Sequence, residues 1–278
     1  GKHVNDGSSF FKKVSVSGLI QNFKDFVIGA DSSTSTLAEA DADTDEKAFE
    51  VAAGGRFENK GNLTASSIQT SQIAGNYNDM VIADTGSSTT ANYEKGEWLT
   101  VHGSHQNSKV SIWNRIDVGQ SGKQENSGSL EIADGFNVAG EFVNTKTGTL
   151  DASKVGNTEV SGTLTNDGQA QYKDMTVQNG GSSINTGYEK GEWLKIEDGG
   201  KHANSGVSIW NQLAVDGELH NEKDGRLDAT KVENTEVTGA LTNDGTANYD
   251  DMTIKDGSLS DNKGYEKGDI KTVGPDGT

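Results

Sequence analysis

The side chains of this chain that could do chemistry are four tryptophans, five histidines, three arginines and a large surplus of carboxylates, 42 Asp and Glu against 24 Lys and Arg. Sites that cleave polysaccharides need converging carboxylates, commonly with a cation beside them. The arginines are Arg56, Arg115 and Arg226, and none lies in a dense acidic stretch. Asp250-Asp251 is a carboxylate pair, but the preceding copy of its segment reads Lys173-Asp174. That exchange fits a solvated strand end better than an acid/base pair. The histidines are His3, His102, His105, His202 and His220, and they lack the His-Glu-x-x-His spacing that places two zinc ligands on one helical face. His102-x-x-His105 reads as a polar corner. No catalytic residue is assigned, and a non-enzymatic protein is expected; the alternative is an active site assembled from successive repeats.

Calcium is the one cofactor to weigh. Asn166-Asp167-Gly168 and Asn243-Asp244-Gly245 are acidic turns, yet neither the Gly-Gly-x-Gly-x-Asp nonapeptide nor an EF-hand loop is present. Asx-Gly makes a tight turn without any ion. No cofactor is expected.

Trp98, Trp113, Trp193 and Trp210 are the candidate ligand-binding residues. Strand alternation sets Val110, Ile112, Ile116 and Val118 on one face, and Trp113 on the other. The same parity sets Trp210 opposite Val207, Ile209, Leu213 and Val215, Trp98 opposite Leu99 and Val101, and Trp193 opposite Leu194 and Ile196. Outward indoles can stack on sugar rings or anchor a protein partner. The competing reading covers each ring with a neighbouring corner, because large aromatics are mostly buried.

The elements that position these residues are internal repeats. Val-x-Gly-x-(large apolar)-x-Asn occurs at Val16–Asn22, Val138–Asn144, Val160–Asn166, Val215–Asn221 and Val237–Asn243, and once more from Ala53 to Asn59. Each copy alternates with period two, the signature of a strand. Tyr93-Glu94-Lys95-Gly96-Glu97-Trp98-Leu99 returns 95 residues later as Tyr188-Glu189-Lys190-Gly191-Glu192-Trp193-Leu194, and begins again at Tyr265. Val110-Ser111-Ile112-Trp113-Asn114 returns as Val207-Ser208-Ile209-Trp210-Asn211. Between Asn114 and Val138 the first copy holds 20 residues that the second lacks. In a solenoid each turn contacts only its neighbours, so one whole turn can be inserted without loss of register. Units of roughly 18–22 residues suit three short strands and three corners of a parallel β-helix.

Composition agrees. Hydrophobic residues make up only 31% of the chain, which a thin solenoid core tolerates. The 36 glycines and the Asn-Gly and Asp-Gly pairs supply corners. Asn22, Asn59, Asn144, Asn166, Asn221 and Asn243 have two available roles: stacking as an amide ladder, or closing turns. The net charge of −18 argues against nucleic acid and anionic membranes as partners. No apolar run is long enough to span a membrane. Ala30 through Lys47 is acidic, small and unpatterned, and reads as a loop extruded from a corner.

Phrases such as Gly162-Thr163-Leu164-Thr165-Asn166, with Gly148-x-Leu150 and Gly225-x-Leu227 opening the strands that follow, resemble the passenger regions of exported bacterial β-helix adhesins of the filamentous-haemagglutinin and autotransporter type. The resemblance runs from about Val14 to the end. It implies an all-β, single-stranded, right-handed parallel β-helix (β-solenoid). It further implies export and display at a bacterial cell surface or outer membrane, or secretion, with binding of host or environmental glycan or protein in virulence-type cell adhesion. Residues 1–278 are then expected to form one continuous β-helix cut from a longer chain. The runner-up is a polysaccharide lyase or hydrolase on the same scaffold.

Overall fold

The computed structural model describes residues 2–7, 9–11, 14–16, 19–22, 25–28, 49–51, 56–59, 62–65, 77–82, 84, 87–90, 93–231 and 235–275. The acidic 30–47 segment lies outside them. The 34 described strands pair in parallel wherever a register is defined, and the described residues contain no helix. The fold is an all-β parallel solenoid. Its residues group into two compact units, Gly1–Ala133 and Asp134–Thr278.

In the second unit one coil runs through Glu141–Asn144, Thr149–Ala152 and Thr158–Val160, and the next through Thr163–Asn166, Gln169–Tyr172 and Asp174–Val177. Asn144 pairs with Asn166, Asn166 with Asn185, and Asn204 with Asn221. Coil length read along this column is 17 to 22 residues. Alternation within each short strand sends Leu150, Val160, Leu164, Ile196, Leu227 and Leu241 into a narrow core. In the first unit the strands Tyr77–Ile82, Tyr93–Val101 and Val110–Val118 stack on one side, and Ser87–Thr90, Ser104–Asn107 and Lys123–Asn126 on another. The 20 residues found only in the first copy are the strands Lys123–Asn126 and Ser129–Val138 with their corners.

The phrase glycine is explained by the corner. A Cβ on Gly162 would lie 2.2 Å from the carbonyl oxygen of Gly140 in the coil before, and one on Gly239 would lie 2.2 Å from that of Gly217. Corner stacks on corner with no room for a side chain.

The two roles open to the asparagines turn out to be one. In the column Asn144, Asn166, Asn185, Asn204, Asn221 and Asn243 each side chain points inward and donates to the next asparagine and to a backbone carbonyl. Asn166 Nδ2 reaches Asn185 Oδ1 at 2.8 Å and the Tyr188 carbonyl at 2.9 Å. Asn185 repeats this with Asn204 and Val207 at 2.8 and 3.0 Å, and Asn204 with Asn221 and Arg226 at 2.8 and 3.1 Å. One hydrogen builds the ladder; the other holds the carbonyl just past the next corner. Asn22 and Asn59 are in register with each other and with Asn5, but in a different sheet from Asn107 and Asn126 of the same unit.

Two outcomes test this architecture. Deleting residues 119–138 joins Val118 to Ala139-Gly140-Glu141, the counterpart of Val215-Asp216-Gly217-Glu218. The product should keep its β-sheet circular dichroism and unfold cooperatively one coil shorter; an unfolded product would contradict coil modularity. Asn185→Asp replaces a double donor with acceptors facing the Asn204 and Val207 oxygens in a fully buried place. It should cost about 3 kcal/mol or more in denaturant unfolding.

Candidate functional site

The strand Val110–Val118 changes its inward parity part-way. Ser111 and Trp113 point in, Asn114 and Arg115 both lie outside the core, and Ile116 and Val118 point in again. The parallel ladder skips the same place: Gly96 pairs with Trp113 and Trp98 with Arg115, with no pairing at Glu97 and Asn114. The second copy bends likewise at Asn211 and Gln212. A corner therefore sits inside what reads as one alternating run. Trp113 and Trp210, expected outside, are fully buried at 0% exposure and offer no face to a ligand. Trp98 and Trp193 are exposed, at 42% and 41%.

The buried indoles cap a polar cluster that occurs twice. In the first unit Glu94 Oε1 accepts from Ser111 Oγ and lies 2.9 Å from His105 Nε2. Trp113 Nε1 donates to Ser111 Oγ at 2.9 Å. In the second unit Ser208 Oγ donates to Glu189 Oε1 at 2.7 Å and Trp210 Nε1 to Ser208 Oγ at 2.8 Å. His202 Nε2 approaches Glu189 Oε1 to 3.1 Å, but off the hydrogen-bond line, so this contact is ionic in character when the ring is protonated. Glu, His, Ser and Trp are all sealed from solvent in both copies.

Serine, histidine and a carboxylate are the parts of a hydrolase triad, but the connectivity differs. The hydroxyl proton goes to the carboxylate, so no imidazole is placed to take it. With no solvent path to Ser111 or Ser208, the cluster packs the interior.

Room for the indole comes from the glycine of Tyr-Glu-Lys-Gly. A Cβ on Gly191 would fall 2.2 Å from Trp210 Cζ3. The Tyr172 ring stacks on Trp210 with centroids 6.0 Å apart. Down this inner column of the second unit run Ala152, Tyr172, Gly191, Trp210, Ala229, Tyr249 and Gly268, small and large in turn. Burial, reinforced by the Glu189 carboxylate, pushes the Tyr172 phenol well above its ordinary range.

Sequence reasoning missed this cluster, although a signal was present. The interrupted copies of the short phrase carry a polar residue where the others carry Leu or Phe: His105, Gln124, Ser183 and His202. All four are buried, at the same place in their strands as Phe142, Leu164, Leu219 and Leu241.

Outside, Trp98 donates from Nε1 to Asp117 Oδ2 at 2.7 Å, and the Arg115 guanidinium lies 5.0 Å over its ring. Trp193 stands in register with Asp174 on one side and Gln212 on the other. Beside it Asn211 Nδ2 donates to Glu192 Oε2 at 2.6 Å. Partial burial raises the Asp174 carboxyl above its usual range; Lys173 opposes the shift, and Glu192 adds to it. An exposed indole flanked by amides and carboxylates matches what a sugar needs, a ring face and hydroxyl partners.

The remaining candidates do not converge. His102 lies against Gly119, while His105 is in the core. Among the described residues no three His, Cys, Asp or Glu side chains form a group able to hold a metal. Asp167 accepts from Thr186 at 2.7 Å, and Asp244 lies 2.9 Å from His220, so both Asx-Gly turns use their acid between coils. No protein-family model matches the chain, and no curated protein matches it.

The buried phenol gives a pH test. Folding keeps Tyr172 protonated, whereas the unfolded chain can ionise it near pH ~10. Its contribution is intact below about pH 10 and is lost as pH rises beyond. The Tyr172 hydroxyl has no hydrogen-bond partner. Tyr172→Phe should therefore raise stability at pH 7, by about 1 kcal/mol, and lessen the loss above pH ~10 in denaturant titrations.

Proposed function

We propose that this protein is a non-catalytic binding module or stalk, displayed at or secreted from a bacterial surface, that retains glycan through exposed indoles. The observation that carries this reading is the division of the aromatic and polar residues. The Glu-His-Ser sets are sealed inside, where each serine hydroxyl donates to the glutamate, while Trp98 and Trp193 stand outside at equivalent places in two copies. A repeated binding element gains by avidity when its ligand is itself a repeating polymer. The resemblance to exported β-helix adhesins supports display and adhesion. Calcium and other cofactors have no role in this reading, nor does nucleic acid, given the −18 net charge.

A polysaccharide array with product analysis tests it. Retention of uncleaved glycan is expected, with Trp98→Ala and Trp193→Ala each weakening it about tenfold and the double variant abolishing it. Shortened products would turn the reading toward a polysaccharide-active enzyme, and undiminished retention by the double variant would reject the indole site.

A further inference from the structure

The two exposed indoles sit on the same local scaffold and differ in what surrounds them. In each copy the strand that follows returns an asparagine to the glutamate before the indole: Asn114 donates to Glu97, and Asn211 to Glu192. The strand register is shared as well. Trp98 pairs with Arg115 and Thr100 with Asp117; Trp193 pairs with Gln212 and Lys195 with Ala214. Two exchanges therefore fall beside otherwise equivalent rings. Gln212 stands where the first copy has Arg115, and Ala214 where it has Asp117.

In the first unit those two residues satisfy the indole from within the chain. The Arg115 guanidinium lies 5.0 Å from the centroid of the Trp98 ring, a cation held on the π face. Arg115 Nε donates to both carboxylate oxygens of Asp117, at 3.1 and 3.0 Å, which fixes it there. Asp117 Oδ2 takes the indole hydrogen at 2.7 Å. One cation and one acceptor complete the surroundings of Trp98.

In the second unit the exchanged residues supply neither. Glutamine carries no charge, and alanine has no acceptor. Trp193 is as exposed as Trp98. Among the described residues no cation lies over its ring and no side chain accepts from its Nε1. The carboxylates on this side remain, Asp174 in register with the indole and Glu192 next to it in the chain. Of the nearby lysines, Lys173 adjoins Asp174, and Lys195 reaches Glu197 at 3.2 Å. What the Trp193 ring lacks is a cation on its face and an oxygen at its N–H.

We propose that Trp193 takes an amino sugar, so that the preferred glycan is a polymer bearing free, protonated amines. Such a unit carries both missing parts on one ring. Its ammonium suits the indole face and the Asp174 and Glu192 carboxylates, and its hydroxyl oxygens can accept from Nε1. A uronic acid or sulfated unit would bring its charge against those carboxylates. A lysine side chain offers the charge without the acceptor. This inference rests on the glycan reading and narrows it: Trp98 already holds its own cation and has no preference for amines, whereas Trp193 has one.

Hexamers of glucosamine and of N-acetylglucosamine test this, because they share a backbone and the acetyl group removes the charge. Binding of each to the whole chain is measured by calorimetry at about pH 6, below the range in which an α-amino-type amine titrates, and in physiological salt to screen distant charges. The amine hexamer should bind about fivefold tighter or more. Installing the first unit's pair in the second, Gln212→Arg with Ala214→Asp, should bring that ratio to about one with circular dichroism unchanged. The exchange leaves the net charge as it was, so a changed ratio is a local effect. Trp193→Ala should lower the ratio in the same way. Equal binding of the two hexamers, a ratio that survives either variant, or hexalysine bound through Trp193 as tightly as the amine hexamer would each overturn the proposal. The glycan reading is judged separately: retention of any glycan without this preference leaves it standing, and a chain that retains none sinks both.

Discussion

Every inward asparagine on the ladder has two amide hydrogens and one amide oxygen to satisfy at the centre of a molecule with little apolar mass. The solution is geometric. Spacing between parallel strands, about 4.8 Å, brings one amide within reach of the next, and Asn185 Nδ2 to Asn204 Oδ1 measures 2.8 Å. The second hydrogen fixes a carbonyl past the following corner, so coil position and corner shape are set together. An unpaired buried amide would cost about 1–3 kcal/mol. That penalty makes the column intolerant of a displaced coil, while the coil's length can vary from 17 to 22 residues.

The buried Glu-His-Ser-Trp cluster adds what the ladder lacks, a distinction between coils. Asparagine looks the same at every rung; Glu189, His202 and Ser208 do not. Buried ion pairs are weak sources of net stability but are known to fix registry. A slip of one coil would bring Glu189 against Leu227 instead of Ser208 and leave a carboxylate without a donor. The alternation of Tyr172, Gly191 and Trp210 enforces the same order by volume.

Much of this could be read from the sequence, and the failures have physical causes. The parallel solenoid, the inserted coil and the outward Trp98 and Trp193 follow from period-two alternation and the repeat offsets. Trp113 and Trp210 do not, because alternation holds only along an unbent strand, and Asn114–Arg115 and Asn211–Gln212 are corners without the Gly or Pro that usually marks one. The cluster was hidden because its His and Ser lie 11 to 19 residues from the Glu, on two strand series. Proximity there depends on coil length, which varies. Only the substitution of His or Ser for Leu within a familiar phrase pointed to it.

Because the backbone hydrogen bonds of the second unit run from coil to coil, tension applied across successive coils would load them a few at a time, like opening a zipper. Each coil that came free would release roughly 20 residues, or about 65 Å of extended chain, before the next rung bore the load. Such a chain lengthens in steps under pull and dissipates work at each one, while the coils still stacked keep their shape.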